Sequence, residues 1–333
     1  MRDEGKGMKG FPIACCGFLL IGLGHTAVAQ TYPAKPIRIV VPFPPGGIAD
    51  LFARVIGQKF GETWGQPAVV ENRPGAGGNI GAEIVAKSPS DGYTLVTGSI
   101  GTHAVNVSLF SKLPYDPIRD FAPVSLIMEA EGLLVVHPSV PVRTVKELIA
   151  LARARPGQLS YASAGHGTAA HLAGELFKLQ TGVPGMTHVP YKGAGPAIID
   201  LIAGHIPVIV PAMTNHVLAL HRAGRARILA VTHGTRLAAA PEIPTAAEQG
   251  LPTLISPNFI GLYVPTGTPK EVVDHLSAAN LRLLAEPSYQ QLLISGTFEI
   301  EPPLSPEAYK RYVEDEMKRW GPIVKTLGVK IDF

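Results

Sequence analysis

The 333-residue chain contains only two cysteines, and both lie within its first thirty residues. That segment carries basic residues, then an apolar run, then Ala27-Val28-Ala29, the order typical of a secretory signal peptide. We therefore predict that residues 1–29 are a signal peptide cleaved after Ala29 and that the mature protein lies outside the cytoplasmic membrane. The mature chain has no cysteine, which excludes disulfides and a cysteine nucleophile, so its stability must come from a large core.

An excess of one charge and long apolar stretches are also absent from the rest of the chain. Lys and Arg total 29 against 26 Asp and Glu, and aromatic residues make up 7% of the sequence without any basic stripe between them. This balance argues against a nucleic-acid partner. After residue 29 no apolar run approaches the roughly 20 residues that a bilayer-spanning helix needs, so we expect no membrane span.

Sequence motifs for catalysis are scarce as well. No serine lies in a G-x-S-x-G elbow, and no pair of carboxylates has a spacing that suggests acid–base work. His171 and Glu175 lie four residues apart, which fits either a metal-binding pair or a structural histidine, and no third ligand accompanies them. We predict that the chain is not an enzyme and that it has no metal and no cofactor.

From Ile37 onward, short β-branched runs alternate with helical patterns, which predicts an α/β fold with parallel strands covered by helices. Two β segments, near residues 121–138 and 260–264, have no helix where the alternation calls for one. Such segments can leave one sheet and enter another. We predict a discontinuous first domain of residues 30–130 and 257–333 and a second domain of residues 131–256, with the ligand cleft between them.

The stretch from Ile37 to Asp50 places a buried-strand pattern, a Pro/Gly loop and a helical pattern in direct succession. The first N–H groups of a helix have no internal partner and carry partial positive charge, so such a turn can hold an anion. Gly46 and Gly47 give a ligand close access to the main chain. An ordinary strand-to-helix turn has the same pattern, so the loop alone leaves both interpretations open.

A second loop, from Ser163 to Thr168, also follows a strand pattern and precedes a helix. The two hydroxyls can donate hydrogen bonds, and Gly165 and Gly167 give backbone access, although Thr168 as a plain N-cap is an alternative. The spacing Gly165-x-Gly167-x-x-Ala170 also fits a relaxed dinucleotide fingerprint. The acidic residue expected about 20 positions later is missing, which disfavours a dinucleotide-dependent enzyme.

Six motifs in chain order resemble the Bug family of periplasmic solute receptors, the binding components of tripartite tricarboxylate transporters. The resemblance covers essentially the whole mature chain. The motifs are YPAKPIRIVVPFPPGGIAD (32–50), VENRPGAGGNIGAE (70–83), HAVNVSLF (103–110), SAGHGTAAHLAGELF (163–177), VPYKGAGPAIIDLIAG (189–204) and PTAAEQGLP (244–252).

The resemblance implies a periplasmic-binding-protein fold, with two domains of central mixed β-sheets flanked by helices and a ligand cleft between them. It implies capture of a small organic carboxylate, held between the two loops partly through water, and delivery to the membrane permease subunits of a tripartite transporter. We expect a monomer. A receptor that presents its ligand to a sensor protein is an alternative from another functional class.

The same resemblance assigns the ligand-binding residues to three strand-to-helix loops and two later positions. The expected residues are Phe43, Pro45, Gly46, Gly47, Ala49, Asp50, Ser99, Thr102, His103, Ser163, Gly165, Gly167, Thr168, His171, Tyr191 and Pro211.

The chain departs from the family pattern at three positions. Ala49 replaces the usual Thr or Ser, so one hydroxyl contact is missing, and Pro207 and Pro211 replace two aspartates. Where family members bind amino acids, the later aspartate can pair with the ammonium group, and Pro211 cannot. We therefore predict a carboxylate without an amino group, with a dicarboxylate or an aromatic carboxylate as candidates. Val210, Pro211, Met213 and Phe259 are the apolar residues that we expect to suit its body.

Overall fold

The computed structural model describes residues 32–256, 258–296, 298, 304–328 and 330–332. The predicted signal peptide lies outside these residues. Tyr32–Phe333 forms one compact unit. Among the described residues, no helix is both long enough and apolar enough to cross a bilayer.

Strands and helices alternate along the chain as the sequence predicts. The strands are β1 (Ile37–Val41), β2 (Ala68–Asn72), β3 (Thr94–Ser99), β4 (Phe121–Ala130), β5 (Leu133–Val136), β6 (Ser160–Ser163), β7 (Thr187–Pro190), β8 (Val208–Ile209), β9 (Arg227–Val231) and β10 (Asn258–Pro265). The helices are α1 (Ile48–Trp64), α2 (Asn79–Ala86), α3 (Asn106–Leu109), α4 (Val145–Ala154), α5 (Ala169–Thr181), α6 (Ala194–Ile202), α7 (Asn215–Arg222), α8 (Lys270–Ala285), α9 (Pro287–Gly296) and α10 (Pro306–Leu327). A 3₁₀ turn covers Ala76–Gly78, and a π-helical turn covers Gly101–Val105.

The strands form two mixed five-stranded sheets. The first has the order β2-β1-β3-β10-β4, with β1 parallel to β2 and β3 and with β10 antiparallel to β3 and β4. The second has the order β7-β6-β8-β5-β9, with β6 parallel to β7 and β8 and with β5 antiparallel to β8 and β9. We call each sheet with its helices a lobe: lobe 1 carries the first sheet and lobe 2 the second. Two mixed sheets flanked by helices confirm the predicted fold class.

The chain passes between the two sheets twice, and the two crossing segments lie next to each other. After β4 it passes through Glu131 and Gly132 into β5, and it returns beyond Ser256 into β10. Backbone hydrogen bonds join the crossings: Thr232 N–H donates to the Gly132 carbonyl at 2.8 Å, and Ser256 N–H donates to the Thr232 carbonyl at 3.0 Å. A Cβ added to Gly132 would lie 2.4 Å from Thr232 Oγ1, so only glycine fits here. The predicted domain boundaries at residues 131 and 257 stay a prediction.

Helix α1 illustrates how the core forms without disulfides. Phe52, Ile56 and Phe60 recur every four residues, lie on one face of the helix and are almost completely buried. Burial of a side chain of this size contributes about 1.5 to 3 kcal/mol. Apolar residues of β1, β4 and β10, many of them β-branched, give the first sheet its opposing apolar face. Helix α10 packs on β4, on the π-helical turn and on α5, and so joins the two lobes.

Candidate functional site

Helix α1 begins with its first N–H groups uncapped. Its N-cap is Gly47, in extended conformation, and among the described residues no side chain makes a capping hydrogen bond there. Gly46 and Gly47 are exposed, whereas Ala49 is buried. The free N–H groups and the helix dipole together favour an anion at this point.

Asp50 shapes this first loop from inside. Its carboxylate accepts hydrogen bonds from Gly46 N–H at 3.0 Å, from Arg54 at 2.9 and 3.0 Å and from Asn72 Nδ2 at 2.9 Å. Asn72 Nδ2 also donates to the Phe43 carbonyl at 3.0 Å. Burial acts to raise the pKa of Asp50, but the hydrogen bonds from Arg54, Gly46 and Asn72 outweigh it and hold the pKa below its usual value. Asp50 therefore orders the loop with oxygens that are already occupied.

Two more helix starts without side-chain caps lie at the same loop. Helix α2 begins after Gly78 and helix α6 begins after Gly193, each without a capping side-chain bond from a described residue. A Cβ on Gly78 would lie 3.3 Å from Phe43 Cζ, and one on Gly193 would lie 4.0 Å from Pro44 Cγ. A Cβ on Gly47 would lie 3.8 Å from the Pro44 carbonyl oxygen. Three glycine N-caps, two from lobe 1 and one from lobe 2, thus surround Phe43 and Pro44.

The second loop is held by its two hydroxyl side chains. Ser163 Oγ accepts from Gly165 N–H at 3.1 Å and hydrogen-bonds His188 Nε2 at 2.7 Å. Thr168 caps α5 by accepting from His171 N–H at 3.3 Å, and its hydroxyl donates to the Gly165 carbonyl at 2.7 Å. The N-cap role that the sequence leaves open for Thr168 is therefore present.

Backbone conformation and close packing require glycine at two positions of the second loop. Gly165 and Gly167 have φ of +134° and +75°, which side chains rarely adopt. A Cβ on Gly167 would also lie 2.4 Å from Asn106 Oδ1. Turn geometry and close packing therefore account for the spacing that resembles a dinucleotide fingerprint.

The second loop packs directly against lobe 1. A Cβ on Gly77 would lie 2.6 Å from the His166 carbonyl oxygen, and one on Gly101 would lie 2.7 Å from the Gly167 carbonyl oxygen. Lobe 1 supplies both glycines and lobe 2 supplies both carbonyls. We call these two approaches the glycine–carbonyl contact.

The third predicted loop lies deep in lobe 1. Ser99, Thr102 and His103 are buried, and Thr102 Oγ1 lies 2.8 Å from His103 Nδ1. The His103 ring stacks on Tyr263 with centroids 3.7 Å apart, and its Nε2 has no hydrogen-bond partner among the described residues. Burial lowers the pKa of His103 to about 3, so the ring is neutral at pH 7.

The remaining predicted residues occupy varied positions. Tyr191 is half-buried and its hydroxyl donates to Asp200, a hydrogen bond that raises the Tyr191 pKa to about 12. Pro211 is buried, and its carbonyl accepts from Leu133 N–H at 2.8 Å. Phe43 is half-buried, and Pro45 is exposed.

Three of the apolar residues expected to suit the ligand, Val210, Met213 and Phe259, are core residues. Phe259 is fully buried in lobe 1, with its ring edge-on to Tyr309 and Tyr312. Met213 is fully buried in the apolar cluster of lobe 2. Their interior positions differ from the ligand-facing role that the sequence suggested.

A cluster of three histidines was missed by the sequence reasoning. His166, His171 and His188 lie together, whereas the predicted partner of His171 faces elsewhere: Glu175 accepts from the Tyr161 hydroxyl at 2.7 Å and pairs with Lys178. His188 comes from β7, a separate strand, so no local spacing could have indicated the cluster.

Two mixed sheets joined by two crossings, with glycine-capped helix starts facing each other across the lobes, are typical of two-lobed solute receptors. The chain belongs to the tripartite tricarboxylate transporter receptor family, because the model of that family matches residues 52–329. This confirms the Bug-family resemblance.

Relatives support the same assignment. Protein BugT of Bordetella pertussis is 36% identical over 315 residues, which cover 93% of this chain and 94% of that protein. The UPF0065 protein in the tcbD-tcbE intergenic region of Pseudomonas sp. strain P51 is 39% identical over 296 residues, covering 89% of this chain and 87% of that protein.

Solved structures match over nearly the same length. Rpa4515 of R. palustris with adipate has a TM-score of 0.84 and 38% identity, covering 90% of this chain and 100% of the other. MatC of Rhodopseudomonas palustris with bound malate has a TM-score of 0.83 and 34% identity, covering 88% and 100%. The periplasmic binding protein BugD has a TM-score of 0.82 and 31% identity, covering 90% and 100%.

Proposed function

We propose that this chain is a periplasmic receptor that binds a small organic carboxylate and delivers it to the membrane permease subunits of a tripartite transporter. One observation carries the binding site: three helix starts without side-chain caps surround Phe43 and Pro44. Each carries the positive end of a helix dipole. The start of α1 also presents N–H groups that no described side chain caps, whereas the Asn79 N–H of α2 already donates to the Ala76 carbonyl. A ligand that bridges α1 or α2 in lobe 1 and α6 in lobe 2 would favour the contact between the lobes.

The ligand of this chain, in our proposal, is a dicarboxylate without an amino group. Two structurally similar proteins carry adipate and malate, which both have two carboxylates and no ammonium group. Pro211 offers no charge to an ammonium group, which supports the same class. Ala49 has no hydroxyl, so the carboxylate at α1 depends on backbone N–H groups and bridging water, which can be nearly as favourable in enthalpy as direct contacts.

The proposal assigns the protein a transport role and no catalysis. The family is one of transporter receptors, and the expected export signal supports a periplasmic location for the mature chain. We propose that it acts as a monomer, since a single chain supplies both lobes. Light scattering of the purified mature chain tests this last point, and a dimer mass would contradict it.

The first experiment is a ligand screen on the mature chain. Thermal midpoints are measured with adipate, malate, aromatic carboxylates, aspartate and glutamate, because a ligand that binds the folded state raises its stability. We expect one or more carboxylates without an amino group to raise the midpoint. Tight binding of aspartate or glutamate would contradict the ligand class, and the absence of any carboxylate response would contradict the receptor.

Gly47→Leu tests the site itself. The only described neighbour within 4 Å of a Cβ at Gly47 is the Pro44 carbonyl oxygen, at 3.8 Å, so the fold accommodates a side chain there. The new side chain would cover the free N–H groups of α1, and we expect carboxylate affinity to fall about tenfold or more by calorimetry, the loss of about one charge-assisted hydrogen bond.

Gly61→Leu is the matched control. Gly61 lies on the same helix, and a Cβ there meets only the Gln66 carbonyl oxygen, also at 3.8 Å. We expect its affinity to equal that of the wild type. Equal losses in both variants would locate the effect in the helix as a whole rather than in its first turn.

A further inference from the structure

Three imidazoles from three different elements meet at one point in lobe 2. His166 comes from the second loop, His171 from the first turn of α5 and His188 from β7. One ring nitrogen of each lies within 4.8 Å of the others. His166 is exposed, His171 is buried and His188 is half-buried, so the cluster opens to solvent on one side.

Two of the rings are fixed by the protein. His171 and His188 stack with centroids 4.2 Å apart, and His166 stands edge-on to both at 5.4 and 5.2 Å. Gly167 N–H donates to His171 Nδ1 at 3.3 Å, and Ser163 Oγ hydrogen-bonds His188 Nε2 at 2.7 Å. Hydrogen bonds orient imidazole ligands in metal sites. Because His171 Nδ1 accepts the Gly167 N–H, the proton of the neutral ring lies on Nε2, so a metal ion would bind His171 through Nδ1 in place of that 3.3 Å hydrogen bond.

We propose that His166, His171 and His188 bind a divalent transition metal of the Zn²⁺, Ni²⁺ or Cu²⁺ class. The donor set is all imidazole, which suits these ions and not Mg²⁺ or Ca²⁺. Metal–nitrogen bonds of about 2.0 to 2.1 Å in a tetrahedral site place nitrogens about 3.4 Å apart. The cluster must therefore contract by about 1.4 Å at its widest. The exposed His166 side chain can turn to do this, and water completes the coordination.

The test is a metal titration of the mature chain without an affinity tag. Calorimetry with ZnCl₂ and NiCl₂ should show one equivalent bound, and electron paramagnetic resonance with one equivalent of Cu²⁺ should show coupling to nitrogen ligands. His166→Ala removes an exposed ligand without touching the core, so we expect metal affinity to fall about tenfold or more.

His216→Ala serves as the control, since His216 is an exposed histidine on α7, outside the cluster. It should bind metal as the wild type does. Equal affinity in His166→Ala and wild type, or equal losses in both variants, would overturn the proposal.

His188→Gln provides a second ligand deletion that tests the buried part of the cluster. Its circular dichroism spectrum and thermal midpoint in EDTA establish that it folds, and we expect it to lose metal binding as His166→Ala does. Carboxylate binding in EDTA by the wild type also separates the two proposals. If it persists while no metal binds, only the metal site is wrong.

Discussion

At the residue scale, the buried carboxylate of Asp50 orders the first loop through its hydrogen bonds. Its carboxylate is almost completely buried, and removal from water would be costly without partners. Arg54, Asn72 and the Gly46 N–H supply those partners, and Asn72 extends the network to Phe43. The shape of the first loop therefore depends on one acid that lies behind it.

Asp50→Asn should destabilise the protein. The substitution replaces an acceptor-only carboxylate with an amide that cannot satisfy Arg54 and Gly46 together, and disruption of such a buried network costs about 1 to 3 kcal/mol. Urea unfolding measures the loss. Glu62→Gln is the control on the same helix, because Glu62 is half exposed and should change stability by about 0.5 kcal/mol or less. Equal losses of stability in the two variants would mean that the hydrogen-bond network of Asp50 contributes no more than a surface carboxylate does.

His103 should make stability depend on pH. Its folded pKa of about 3 lies below the ordinary 6.5, so the unfolded chain takes up a proton that the folded chain does not. The stability from neutral His103 is complete above pH 6.5 and is lost as the pH falls toward 3. Between pH 6.5 and pH 5 this loss is about 1.5 kcal/mol.

His103→Gln removes that contribution and isolates it. Urea unfolding is measured at pH 6.5 and at pH 5. The decrease in unfolding free energy between these pH values should be about 1.5 kcal/mol smaller in the variant than in the wild type. The window lies above the range where most carboxylates titrate. Parallel pH profiles for the two proteins would contradict a buried neutral imidazole.

At the element scale, seven of the helix starts fall into two groups. Helices α4, α5, α7 and α10 begin at a Thr or Ser whose side chain accepts an N–H group. Helices α1, α2 and α6 begin at glycines without such a bond from a described side chain. The glycine-capped starts lie near Phe43 and Pro44. Helices α3 and α8 also begin without a capping side chain, at Val105 and Pro269, so the feature shared by the starts near Phe43 and Pro44 is the glycine at the N-cap.

Thr168→Ala separates capping from binding. Loss of the N-cap should cost about 1 kcal/mol of stability, measured by urea unfolding. The Thr168 hydroxyl also anchors the Gly165 carbonyl, so carboxylate affinity, measured by calorimetry, should fall as well. Thr214→Ala is the matched control, because Thr214 caps α7 through an equal 3.3 Å bond from Val217 N–H. It should lose similar stability and no affinity. Unchanged affinity in Thr168→Ala would exclude the second loop from the site.

Elements that depend on local pattern could be predicted from the sequence. The β-branched run before Pro42 and the apolar period of α1 are both local, so the first strand-loop-helix unit was evident. The role of Gly193 at the start of α6 was not evident. Gly193 belongs to the proposed site only because it lies close to Pro44 of the other lobe. A sequence pattern does not reveal a distance between residues of different lobes. The same reason hid the histidine cluster.

At the scale of the whole molecule, the two lobes are joined in three ways. Two chain crossings lie side by side, α10 packs on elements of both lobes, and the glycine–carbonyl contact links the second loop to lobe 1. The crossings and α10 act as connections whether or not a ligand is present. The glycine–carbonyl contact requires the lobes to be together.

Gly101→Val should prevent the glycine–carbonyl contact from forming. Its Cβ would lie 2.7 Å from the Gly167 carbonyl oxygen, a distance that forces the lobes apart. We expect weaker carboxylate binding by calorimetry and a larger radius of gyration by small-angle X-ray scattering with ligand at saturation. Gly321→Ala is the control, since a Cβ there meets Ser108 Oγ at an ordinary 3.6 Å. A Gly101→Val protein that binds and scatters as the wild type does would show that the contact is not needed.

The glycine–carbonyl contact has a consequence for how such receptors can diversify. Carbonyl oxygens meet glycines, so the approach of the lobes is set by the main chain and by the absence of side chains. Residues proposed to line the ligand site, such as those at positions 49 and 211, can therefore be exchanged while the geometry of approach stays constant. A receptor built in this way can acquire a new ligand and still present an unchanged outer shape to its transporter.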